Sequence, residues 1–79
     1  MNYFEFNAQE IITSEQKSDI SKITSNFEIN CALRNEIYSL LHGRYYQGIA
    51  TKTITDSNMS VQDKMTLNAI FTQIKNSQK

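Results

Sequence analysis

Two side chains in this sequence could do nucleophilic or acid–base chemistry, its single cysteine, Cys31, and its single histidine, His42. A thiolate is activated by a base within hydrogen-bond reach. On one helix these two lie eleven residues apart, about 16 Å along the axis at 1.5 Å per residue, so they meet only if the chain folds back. One Cys and one His also cannot complete a tetrahedral metal site in one chain, which leaves only a site shared across a symmetric dimer. The acidic residues Glu5, Glu10, Glu15, Asp19, Glu28, Glu36, Asp56 and Asp63 are scattered and make no tight pair for acid and base work. The run H-G-R-Y-Y-Q-G, His42 to Gly48, lacks the glycine spacing and the Lys-Ser/Thr ending of a phosphate loop. These residues predict no enzyme, no metal, no cofactor and no small-molecule substrate. Cys31 reads as a small packed side chain, and His42 as a helix-end cation or surface group.

What remains distinctive is a set suited to contact: Arg34, Tyr38, His42, Arg44, Tyr45 and Tyr46. Arg and Tyr are enriched in binding hot spots because each combines a large contact area with a polar tip. The competing reading has Tyr38 and one of the paired tyrosines capping a small core, since tyrosine is commonly half-buried. With Lys52 added, the same residues could touch nucleic acid. Eight basic and eight acidic side chains give a formal charge of zero, however, so phosphate attraction would be weak.

The element that must position most of this set is the stretch Asn30 to Gly43, NCALRNEIYSLLHG. As a helix it places Leu33, Ile37, Leu40 and Leu41 on one side, with Cys31, Tyr38 and the stem of Arg34 on a neighbouring side. A helix apolar on more than one side sits between partners, so this one is expected to be central. Asn30 is a competent N-cap and predicts a break there, giving a helical hairpin rather than a rod. Gly43 after the last periodic residue, with His42 in the final turn, predicts the stop.

Around this centre, N-Y-F-E-F at Asn2 to Phe6 fits a short strand or extended arm with Phe4 and Phe6 on one face, and could equally begin a helix. Asn7 with Glu10 allows a helical turn over Ala8 to Ile12, and Thr13 with Gln16 gives a stronger capping signature for a helix from Ser14. That helix carries Ile20, Ile23 and Phe27 on a narrow stripe. Arg44 to Thr55 is strand-like in composition, although Ala50 to Ile54 could form a helical turn. After a turn at Asp56 to Asn58, Ser60 and Asp63 cap a last helix with Leu67, Ile70, Phe71 and Ile74 on one face and Met65 at its edge.

Seventy-nine residues make one domain, 1–79, near the size at which burial only just offsets chain entropy. Nineteen Ile, Leu, Val and Phe are diluted by twenty-nine Ser, Thr, Asn and Gln. A chain of this kind commonly gains stability by pairing with itself or with a partner. No leader or long apolar span is visible and the lone cysteine forms no internal bridge, so no membrane and a cytoplasmic setting are expected.

Three short resemblances arise at these residues. L-R-N-E-I-Y-S-L-L-H-G-R, Leu33 to Arg44, followed by a last helix, looks a little like the small all-helical enterobacterial regulators of biofilm and acid resistance, which implies a dimer. The segment after the glycine is shorter here and lacks their leucines. I-T-S-N-F-E-I-N, Ile23 to Asn30, is similar to the inhibitory helix of antitoxins of Fic-type adenylyltransferases, with Thr24 and Glu28 at the Ser/Thr and Glu positions and Ile29 where Gly or Asn is expected. The helical hairpin also resembles sporulation phosphatases, without their Ser-Gln-x-Leu-Asp motif. Each covers part of the chain, and no family is assigned.

The sequence thus predicts a mainly α domain of three to four helices around a central helix at residues 30–43, with a short strand in 44–55, or else an α+β fold. The expected function is regulatory or inhibitory binding of a macromolecule, foremost a protein, in the manner of an antitoxin, a phage anti-defence inhibitor or an adaptor, with a homodimer as one form. The alternative is a small dimeric transcriptional regulator that binds DNA.

Overall fold

Side-chain caps start four of the α-helices. The structure, a computed structural model, describes residues 3–26, 28–46 and 51–78. After strand β1 (Tyr3–Glu5), Asn7 caps helix α1 (Ala8–Ile11), its side chain accepting from the Gln9 N–H. Helix α2 (Ser14–Thr24) opens on a full capping box: the Thr13 hydroxyl accepts from the Gln16 N–H, and the Gln16 amide oxygen accepts from the Thr13 N–H. Asn30 breaks the chain as expected, its side chain accepting from Ala32 N–H at 2.8 Å and Leu33 N–H at 3.4 Å to start helix α3 (Cys31–Tyr38).

The expected central helix does not remain an α-helix to its end. Past Tyr38 it tightens into a 3-10 turn over Ser39–His42, and Gly43 stops it with φ of 76°. Only glycine suits this position on two counts. The left-handed φ penalises any Cβ, and a Cβ here would sit 2.4 Å from the Phe6 carbonyl oxygen. That close approach lets the next three residues, Arg44–Tyr46, leave as strand β2 and pair antiparallel with β1 in the register Tyr3↔Tyr46, Phe4↔Tyr45, Glu5↔Arg44. Both readings of the following segment hold in part: β2 begins it and helix α4 (Thr51–Thr55) ends it. Ser60 then caps helix α5 (Val61–Asn76) by accepting from the Asp63 N–H. Phe27, Gly48 and the side chain of Lys52, named in the sequence reading, lie outside the described residues.

The domain is therefore mostly helical, with a small two-stranded sheet. One core gathers Ile20 and Ile23 from α2, Leu33 and Ile37 from α3, Leu40 from the 3-10 turn, Tyr45 from β2, Ile54 from α4, and Leu67, Ile70, Phe71 and Ile74 from α5. Met65, expected at the edge of the α5 stripe, is 63% exposed. Gln16 does a second task. Its amide and that of Gln73 donate to one another at 3.0 Å, and Gln73 Nε2 also donates to the Ile11 carbonyl, so the start of α2 is tied to the last turns of α5. Among the described residues no helix is long and apolar enough to cross a membrane.

The arrangement of α3 differs from the expectation in one respect. Its buried side is the single stripe Leu33, Ile37 and, beyond Tyr38, Leu40, with Leu41 half-buried. On the neighbouring side Cys31 and Tyr38 are exposed and Arg34 is half-buried. α2 and β2 pack on α3, whereas α5 packs on α2 and α4, so all of them meet in the one core.

Candidate functional site

The six residues expected to form the contact surface fall into three environments. Tyr38 and His42 lie one helical turn apart, across the junction from α3 to the 3-10 turn, and meet edge to face with ring centroids 5.5 Å apart. Both are exposed, Tyr38 at 48%. Arg44 and Tyr46 stand on the outer face of the sheet, because alternate residues of a strand point to the same side. Their company there is Tyr3, which no reading of the sequence had included. The Arg44 guanidinium lies over the Tyr3 ring, 5.7 Å from its centroid, and Tyr3 and Tyr46 meet at 5.4 Å with their planes tilted by 44°. The missed signal was the alternation of Y-F-E-F itself: a strand that turns Phe4 and Phe6 inward must turn Tyr3 and Glu5 outward.

Tyr45 is a correction. It is 2% exposed and is a core side chain, so it offers no surface for a partner. Its ring stacks on Phe4 at 4.9 Å and meets Phe71 edge-on at 5.4 Å, while Lys75 Nζ sits 5.7 Å from its centroid. Of two adjacent tyrosines in a strand, one must face in and the other out. The sequence left open which, and the register with β1 decides it.

Cys31 is the second correction. Expected to be packed, it is exposed at the first turn of α3. Arg34 Nη2 lies 3.5 Å and Asn35 Nδ2 3.9 Å from its sulfur, both as donors. Arg34 is thereby held along α3 toward the N-terminal end of the helix.

A shallow groove of about 270 Å³ runs between α3 and the sheet cluster, lined by Ala32, Asn35, Glu36, Ser39 and Tyr46. A second open groove, about 330 Å³, runs on the other flank of α3 from Asn30, Leu33 and Glu36 to Thr53, Ser57 and Asn58. The surface mixes charge: Arg44 has Glu5 opposite it in the ladder, and Glu36 borders both grooves. Among the described residues, no three His, Cys, Asp or Glu side chains come together where a metal ion could be held. What the arrangement can do chemically is bind, by aromatic stacking, by hydrogen bonds from tyrosine hydroxyls and by cation–π contact.

No family model, curated protein or solved structure matches this chain. The three motif likenesses therefore stay confined to the short segments that carry them.

Proposed function

We propose that the protein acts by binding another macromolecule, a protein foremost, and altering what that partner does, as a small inhibitor, antitoxin or adaptor would. The observation that carries this reading is the pair of aromatic and cationic clusters Tyr38–His42 and Tyr3–Arg44–Tyr46, exposed except for the half-buried Tyr46. Rings this large cost little conformational entropy to immobilise, because only two torsions are lost, while each brings wide contact area. Here they are also held before binding: Tyr38 rests on His42, and Tyr3 lies between Arg44 and Tyr46. Pre-ordered side chains reduce the entropy cost of association.

The test compares wild-type protein with Tyr38→Ala/Arg44→Ala by affinity capture from the native host with mass spectrometry, followed by direct titration of the captured protein. Both substituted residues are exposed, so the helical circular dichroism is expected to persist. Loss of one specific captured protein supports the reading. An identical catch from the two baits overturns it. Capture of nucleic acid instead, with affinity that falls steeply as salt rises, would transfer the assignment to the DNA-binding alternative.

A further inference from the structure

The small sheet has one side that its own chain leaves incomplete. The Phe6 N–H donates to the Gly43 carbonyl at 2.8 Å, one step beyond the pair Glu5↔Arg44. Bonded and unbonded pairs alternate along an antiparallel ladder, so Phe4 and Tyr45 form the next bonded pair. It follows that the N–H and C=O groups of Tyr3 and Glu5 point away from β2. Beyond β2, no described element packs closely on β1, and Tyr3 and Glu5 are both exposed. A row of open backbone groups of this kind is a template for another strand.

We propose that this edge pairs with β1 of a second copy of the chain, antiparallel and two-fold symmetric about Phe4, to make a four-stranded sheet in the order β2-β1-β1-β2. This goes beyond the partner-binding reading and does not depend on it. The pattern of the edge favours a second copy. A two-fold axis at Phe4 sets Tyr3 of each chain opposite Glu5 of the other, so the open groups of both residues are used in two bonded pairs. Phe4 meets its counterpart in the unbonded position between them, where opposed side chains approach most closely. Phe4 is only half-buried in the single chain, and the pairing extends its stack on Tyr45 across the axis. Charge disfavours one neighbouring register. Sliding the strands by two residues in one direction faces Glu5 against Glu5, a like-charge pair, and in the other direction leaves Glu5 out of the described edge.

Two experiments decide the matter. In a Cys31→Ser background, chains carrying Tyr3→Cys and chains carrying Glu5→Cys are mixed under mild oxidation; residues opposed in a bonded pair have Cα atoms about 5.5 Å apart, within disulfide reach. The mixed disulfide is expected to exceed either symmetric one several-fold. Separately, light scattering on the wild type is expected to give twice the 9.1 kDa chain mass. Glu5→Pro is expected to halve that mass with the circular dichroism unchanged, because it removes an outward N–H and leaves the Phe4–Tyr45 bonds intact. A wild type that stays monomeric at its highest soluble concentration overturns the proposal. So do a mixed disulfide in no more than its statistical excess over the symmetric ones, a dimer that survives Glu5→Pro in a folded chain, and an edge that takes up only an unrelated extended peptide. Because the cross-linking leaves Tyr38 and Arg44 in place, its failure is distinct from failure of the partner-binding reading.

Discussion

Helix α5 and the segment from Asn30 to Tyr46 are of similar length and contribute four core side chains each, but they use their backbones differently. α5 keeps one period from Val61 to Asn76 and presents one stripe, Leu67, Ile70, Phe71 and Ile74, to the core. The other segment passes through an α-helix, a 3-10 turn, a left-handed glycine and a strand. Its core residues are Leu33, Ile37, Leu40 and Tyr45, and it also carries Tyr38, His42, Arg44 and Tyr46 on the outside or at the boundary. Each change of period re-aims the side chains that follow, since helical positions repeat every 3.6 residues and strand positions every two. A constant period builds stability, and a changing one places neighbouring aromatic residues on opposite sides of the wall.

The sharpest way to break this comparison is at the paired tyrosines. Tyr45→Ala is expected to cost about 3–5 kcal/mol, the usual loss for truncating a buried aromatic. Tyr46→Ala, at a half-buried outer position, is expected to cost roughly 1 kcal/mol or less. Urea unfolding measures both, and equal losses would show that the strand does not separate the pair as described. Gly43→Ala comes next. Forced left-handed backbone costs on the order of 1–3 kcal/mol, and the new Cβ would also displace the Phe6 carbonyl. A Gly43→Ala protein as stable as wild type would mean that β1 is not pinned by that turn. Smallest is the cap. Asn30→Ala removes the acceptor of two helix-end N–H groups and is expected to cost about 1 kcal/mol. Ser60→Ala on α5 is the matched control; a much larger loss at Asn30 would show that the break before α3 carries more than its cap.

The helix starts were legible because their causes are local. Thr13 with Gln16, Asn30, and Ser60 with Asp63 act within three residues of themselves, and Gly43 announces its own left-handed turn. The buried stripe of α5 was equally open to reading, as period alone determines it. The candidate site was legible only in outline. Arg44 and Tyr46 are on the surface, but the sequence could not show that Tyr45 is inside, because that depends on a strand nearly forty residues earlier. The same strand supplies Tyr3. Cys31 was misjudged for a different reason: residue type says that cysteines are usually packed, whereas this one falls on the side of α3 that the small core has no side chains left to cover.

The pairing of β1 with β2 also bears on how the chain reaches this state. Its two strands enclose a loop of roughly 40 residues, whose closure entropy must be met before the ladder returns anything, while every helix forms from near neighbours. The sheet is therefore expected to zip after α2, α3 and α5 have docked, which pulse-labelled amide exchange would register as later protection of Phe4 and Tyr45 than of Leu67 and Ile70. Until that moment the N-terminal strand is unattached, and the newly made chain passes through an interval in which its most aromatic segment is open to capture by whatever strand it meets first.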